Sequence, residues 1–410
     1  MNNIEEILTF CVNLSRHMIV SGANLERVSL AIEFVAKAYK LKDLSVFLLS
    51  NHISISAYDK DGNYASRQAS IPPAGINLER LRNLNQLSYK IAEITPSPKV
   101  LDSMLTRALK IKDYPDYVIL LGRIGAMSSL CFMFGGSFAT LIPVALVTVL
   151  LHFLMIVFES TGLDRILINS LTMWVASVAA IFLIYGGVGT NLASVLITVS
   201  MLVIPGIPLV NAMRNLLCGR ENNGILQMLK IFIETMALGL GIFVALEMFK
   251  GYAMINEIST SPLNPYLLIL LSFSASACFG ITFRIPIQDL WLAGLGGALT
   301  RIALISFSAL IPNRLIFMTI SASIAGLYAE YLAVQRRQPS IYFVYPSIIP
   351  LIPGDLFFYS LSGLFLGDSA WVKSNGVNCI LSLLGLSMGF VLSSTVSHYV
   401  RKRRYVGRHV

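Results

Sequence analysis

The chain has 410 residues, of which 55% are apolar and 13% charged, with a mean hydropathy of +0.70 and a formal net charge of +9. That composition excludes an ordinary water-soluble enzyme and a disordered chain, and points to a membrane protein. The positive balance does not indicate nucleic acid: its densest cluster, Arg401-Lys402-Arg403-Arg404, directly follows an apolar segment, where a cytoplasmic membrane flank is basic.

From the amino terminus, Met1 to Glu6 shows no basic segment leading into an apolar core, so no signal peptide is expected. Residues 1–117 carry 14 of the 31 Lys and Arg and 12 of the 22 Asp and Glu. This is the charge density of a soluble domain, and a small cytoplasmic α+β domain is expected over 1–117. Apolar residues at helical spacing predict helices over 4–20 and 24–38, joined at Ser21-Gly22-Ala23. Strands are predicted over 46–49, 53–58 and 64–68, the last two joined by an Asp61-Gly62-Asn63 turn. Asn77 is a candidate N-cap for a helix over 78–94, which Pro96 and Pro98 separate from a last helix over 99–111. His17, Ser21, Glu26 and His52 could be assembled on paper into a hydrolase set. The chain has no Gly-x-Ser-x-Gly elbow, Walker loop or metal-ligand spacing, so a regulatory, assembly or gating role is expected instead of an enzyme.

Ten apolar stretches then approach the roughly 20 residues that a span needs: 118–135, 138–158, 166–186, 190–210, 225–249, 265–284, 290–311, 314–334, 341–364 and 376–399. With the amino-terminal domain inside, the inner loops receive Arg165, Arg214, Arg220, Arg284, Arg336, Arg337 and the five basic residues of the tail. The outer side receives only Lys250, Arg314 and Lys373, so the positive-inside bias supports both termini in the cytoplasm. The five cysteines are scattered and read as small apolar fillers; neither a metal site nor a cofactor is expected.

Ile204-Pro205-Gly206 recurs 148 positions later as Ile352-Pro353-Gly354. Proline removes a backbone donor and glycine permits non-helical φ, so each copy should break a membrane helix. Sliding the chain by 148 or 149 positions also aligns Phe134 with Phe283, Ala145 with Gly294, His152 with Arg301, Ala176 with Ala325, and Leu240-Gly241 with Met388-Gly389. The expected fold is therefore a polytopic α-helical membrane protein of about ten transmembrane helices. These form two five-helix repeats, 118–250 and 265–400, followed by a basic tail, 401–410. Five spans is an odd number, so the second repeat must be inverted relative to the first, as in carriers that work by alternating access.

Polar residues inside the spans are the candidate site. Asn211 and Arg214 follow the first break, Pro205-Gly206, and with the N–H groups exposed there they suit a substrate carboxylate. Asp355 follows Pro353-Gly354, and with Glu234 it suits an ammonium group or a proton relay. Arg214 also fits a plain inner flank, and Glu234 an i,i+4 pair with Lys230. His152 and Arg301 form either a functional pair or an interfacial one, while Arg123 and Glu330 read as flank or packing charges. The small-residue runs 122–129, 272–280 and 293–298 allow close helix packing.

Ser21-Gly22-Ala23-Asn24-Leu25-Glu26-Arg27-Val28, the hairpin after it and the paired breaks, the first reading Pro205-Gly206-Ile207-Pro208-Leu209-Val210-Asn211-Ala212-Met213-Arg214, resemble the bacterial threonine/serine exporter family over nearly the whole chain. Ser29, where the family pattern has Glu, and Lys40, near which it has Gly, depart from it. The resemblance implies efflux of threonine and serine driven by the proton motive force, in the bacterial inner membrane; related split systems are linked to export of small dicarboxylates such as succinate. The partners implied are a small amino or organic acid and the lipid bilayer, with no nucleic acid and with homo-oligomerisation left open. A channel and a membrane-anchored hydrolase remain the competing classes.

Overall fold

The computed structural model describes residues 3–406 apart from 50, 73–74, 111–112, 160, 250–262 and 337. It divides into two compact units.

The first unit comprises Met1–Tyr114 together with Phe283–Ile287 and Leu332–Tyr342. Its elements are α1 (Asn3–Val20), α2 (Leu25–Ala38), β1 (Lys42–Leu48), β2 (His52–Tyr58), β3 (Tyr64–Ser70), α3 (Leu78–Ile94) and α4 (Leu101–Leu109). Gly22, at φ +97, turns the chain between α1 and α2, and the Asn24 side chain accepts the Arg27 N–H at 3.0 Å to cap α2. The strands form an antiparallel sheet in the order β1-β2-β3. In the β2–β3 turn the Asp59 carboxylate accepts the N–H groups of Asp61 and Asn63, each at 2.9 Å, and Gly62 takes φ +84. Ile53, Ile55 and Ala57 alternate along β2 into a core shared with Leu8, Leu14 and Met18 of α1 and Leu84 of α3.

Two boundaries in this unit differ from those expected. Strand β1 begins at Lys42, not at Val46, because pairing with β2 runs past the apolar stretch to Lys42 opposite Tyr58. The last helix is shorter than 99–111: Pro98 opens a 3₁₀ turn over Pro98–Val100, and α4 ends at Leu109. Asn77 caps α3 as its position predicts, accepting the Arg80 N–H at 2.9 Å. The segment 283–287 is held by main-chain groups: Leu78 N–H donates to the Phe283 carbonyl and the Tyr114 hydroxyl to that of Ile285, both at 2.9 Å.

The second unit is helical. It contains α5 (Asp116–Met133), α6 (Phe138–Glu159), α7 (Arg165–Tyr185), α8 (Leu192–Ser200), α9 (Gly206–Leu217), α10 (Glu221–Met248), α11 (Pro265–Thr282), α12 (Leu290–Leu310), most of α13 (Arg314–Arg336) and α14 (Ile341–Ile348), whose facing ends from Leu332 to Tyr342 fall in the first unit, α15 (Gly354–Leu366) and α16 (Ser369–Val406). Among the described residues eight helices are long and apolar enough to cross a bilayer, and a ninth passage is counted if α14 and α15, bent by 56°, form one. The stretch 190–210 is not a single helix. It consists of the nine-residue α8 and the start of the twelve-residue α9, so a count of ten requires reading those two as one broken passage. Helix α16 runs on through Val406, so the first part of the basic tail continues a helix; Lys250, Arg337 and residues 407–410 lie outside the described residues.

Burial in this unit is inverted relative to a water-soluble bundle. Phe138, Ile142, Leu146, Phe153 and Val157 of α6 are exposed, while Thr148, Thr172, Ser177, Ser276, Thr300 and Ser387 are buried. Apolar side chains outside and hydroxyls inside are what a lipid solvent selects. Glycines set the tightest crossings. A Cβ on Gly241 of α10 would fall on the Ser170 carbonyl oxygen of α7. A Cβ on Gly389 of α16 would lie 2.6 Å from the Thr319 carbonyl oxygen of α13. Ser170 and Thr319 stand 149 positions apart, Gly241 and Gly389 148.

Candidate functional site

Both Pro-Gly breaks adopt one backbone conformation. Pro205 has φ −78 and ψ 60, and Pro353 has φ −79 and ψ 62. In each, the glycine N–H returns to the carbonyl two residues back, Gly206 to Ile204 and Gly354 to Ile352, both at 2.8 Å. These are inverse γ-turns, which proline favours because its ring holds φ near the required value. The chain tightens before each turn: Met201, Leu202 and Val203 donate to the third residue back, and Ile352 donates to Ile349 in the same way. After each turn a new helix starts, α9 at Gly206 and α15 at Gly354, so two helix N-termini open inside the bundle.

The breaks meet. A Cβ on Gly206 would lie 3.1 Å from the Ile352 side chain, the residue before the second proline, and a Cβ on Gly354 would run into the Met201 thioether, just ahead of the first. Each glycine thus makes room for a side chain of the opposite break. Asn211, beyond the first break, donates to the hydroxyl of the buried Tyr345 in α14 at 2.9 Å, and the Arg214 charge acts on the same hydroxyl. The two breaks, Pro205-Gly206 and Pro353-Gly354, thus meet, and Asn211 and Arg214 further along α9 share Tyr345 of α14, a residue that sequence reasoning missed.

Asp355 lies in the first turn of α15, where the helix dipole favours an anion. Its carboxylate takes no hydrogen bond among the described residues, which leaves its acceptor positions available. Sequence offers it no neighbouring base; the fold supplies one from α12. Gly297 packs α12 against α11, where a Cβ would lie 2.6 Å from the Ser272 carbonyl oxygen. One turn later Arg301 donates through Nε to the Ser272 hydroxyl at 3.0 Å and through Nη2 to the Pro350 carbonyl, just before the second break, at 3.2 Å. The Asp355 charge acts on that guanidinium, and also on Tyr359 of α15 and Cys379 of α16.

Glu234 sits elsewhere. It is buried in α10, and its carboxylate lies 4.0 Å from Lys230 one turn earlier, the pairing its spacing allowed. His152 lies beside Arg123 of α5, Nδ1 to Nη1 3.0 Å. Arg123 and Ser272 stand 149 positions apart, as do His152 and Arg301, so one polar couplet between neighbouring helices occurs twice with its cation moved from the first helix to the second. Glu330 accepts the Ser397 hydroxyl at 3.1 Å. Among the described residues no cluster of His, Cys, Asp and Glu could hold a metal ion.

A helical bundle with apolar side chains outward, hydroxyls inward and eight helices long and apolar enough to cross a bilayer defines, among the described residues, a polytopic membrane protein. A family model described as a threonine/serine exporter matches residues 9–249, and a second, described as Threonine/Serine exporter, ThrE, matches residues 268–396. The chain belongs to the threonine/serine exporter family, with both modules on one polypeptide. It is accordingly a transporter whose substrate is a small molecule. No curated protein and no solved structure matches it.

Proposed function

We propose that the chain is a secondary carrier that exports threonine and serine across the bacterial inner membrane by alternating access, with the substrate held between the two Pro-Gly breaks. The meeting of the breaks, Gly206 against Ile352 and Gly354 against Met201, carries this reading. In lipid, an interrupted backbone is tolerated only where protein or a polar cavity receives its freed groups. The two inverse γ-turns leave two such places side by side.

The site offers groups of both signs, which suits a zwitterion. The α9 N-terminus has no acidic residue in its first turn, and with Asn211 and Arg214 it would take a carboxylate. Asp355 would take the ammonium group and is the first residue to test for proton coupling, with Glu234 second. The shared γ-turn, the matched Gly241 and Gly389 crossings and the matched couplets support two five-helix repeats. An inverted relation between them, with both termini cytoplasmic, follows if α8–α9 and α14–α15 each make one passage.

Counterflow tests the substrate. Proteoliposomes holding the purified chain are preloaded with unlabelled threonine, serine or succinate, and uptake of the labelled compound is followed. Saturable exchange of threonine or serine is expected. Exchange of succinate alone would favour the second reading, a dicarboxylate exporter, for which the cations Arg214 on the helix after the first break and Arg301 at the second are the specific argument. Unsaturable flux that never exceeds equilibration would indicate a channel.

A further inference from the structure

We propose that Arg301 is the internal counter-cation of the empty site, compensating Asp355 whenever no ammonium-bearing ligand is bound and so allowing the unloaded carrier to reorient. The inference rests on the reading of Asp355 as the ammonium site. Three observations converge on Arg301. Its guanidinium is braced at two points, the Ser272 hydroxyl at 3.0 Å and the Pro350 carbonyl at 3.2 Å, so it is held against the second break. Pro350, whose carbonyl it holds, stands five residues before Asp355 across the same break, and the Asp355 charge reaches the guanidinium. Asp355 itself is only part-buried and takes no hydrogen bond among the described residues, so its carboxylate stays accessible to a ligand.

A lone carboxylate charge with no partner is costly inside an apolar bundle. A bound zwitterion brings its own ammonium, and loaded carrier can cross without Arg301. An empty carrier has no such cation, and Arg301 is the nearby group that supplies one. Tyr359 and Cys379, which also feel the Asp355 charge, are neutral when protonated and cannot replace it. The couplet at the equivalent positions of the first half carries its arginine on α5, as Arg123 beside His152, and the first break holds Ile207 where the second has Asp355.

The test compares two modes of transport in proteoliposomes holding the full chain. Threonine exchange needs only loaded carrier, whereas net efflux into threonine-free buffer also needs the empty carrier to return. For Arg301→Gln the ratio of net efflux to exchange is expected to fall roughly tenfold or more, with a lower KM for threonine, because an unscreened Asp355 binds the ammonium more tightly. Arg301→Lys, which keeps the charge, should hold the ratio within about twofold of wild type. In an Asp355→Asn background Arg301→Gln should leave the ratio where it was. Equal losses in both modes with unchanged KM, in variant protein that runs monodisperse, would overturn the inference and reduce Arg301 to a brace for Pro350. Loss of the ratio in Arg301→Lys as complete as in Arg301→Gln would overturn it too. If the wild-type chain exchanges neither threonine nor serine, the carrier reading itself fails, and no variant is needed to see it.

Discussion

At position 355 a carboxylate stands in the first turn of a helix that starts inside the bundle, while the matching position of the other break holds Ile207. A polar chain is costly there unless it has a partner or a task. Replacing Asp355 with Asn keeps the shape and removes the charge; the charge-assisted contact is worth about 1.5–3 kcal/mol, so exchange should fall roughly ten- to hundredfold. Undiminished exchange with a normal pH profile would remove Asp355 from the site. In the other unit, burial, with added repulsion from Arg16 and Arg80, holds the His17 imidazole below its usual 6.5. Above that pH the residue is neutral whether the chain is folded or not. As the pH falls through it the unfolded chain binds a proton that the folded one resists, so stability declines until the depressed folded value is passed. The apparent melting temperature of the wild type should therefore drop more between pH 8 and pH 5.5 than that of His17→Gln; equal drops would sink the assignment.

Among the elements, the α7–α10 and α13–α16 crossings each bring a glycine against a neighbouring backbone. Gly241 and Gly389 each abut the backbone of a neighbouring helix, whereas Gly376 has nothing nearer than the Ser360 hydroxyl at 3.8 Å. Gly241→Ala and Gly389→Ala should each destabilise the purified protein by about 1–3 kcal/mol through overpacking. Gly376→Ala should be neutral or stabilising by up to about 1 kcal/mol, since alanine is the better helix former. Thermal unfolding in detergent ranks the three, and a Gly376→Ala loss as large as the others would refute the packing argument. The helix ends read well from sequence where a local signal exists, as at Asn77 or at the two prolines. They read poorly where tertiary contact extends an element, as at β1, or where a helix and its continuation share one apolar stretch, as at α8 and α9.

For the whole molecule, the native cysteines offer a check of orientation. Cys218, in the turn between α9 and α10, is exposed, while Cys11, Cys131 and Cys379 are buried. With Arg214 and Arg220 on the inner side, a membrane-impermeant maleimide should label Cys218 in inside-out vesicles and not in intact cells. Labelling from outside would reverse the orientation and, with it, the direction in which the inner face captures substrate.

Periodicity and composition were enough to read a charged amino-terminal domain, a run of apolar helices and two matched breaks, because these depend on the polarity of residues near one another in the chain. The family, too, was legible in its linear motifs. The convergence of the two breaks was not: Met201 reaches Gly354, Ile352 reaches Gly206 and Asn211 reaches Tyr345 across more than a hundred residues of chain. Nor could sequence show that Arg301 of α12 is held at Pro350, just before the second break, while Glu234 keeps to Lys230. Local pattern records which face of a helix is apolar. Which helices those faces meet depends on close packing and on satisfying every interrupted backbone group at once, and only the assembled bundle specifies that.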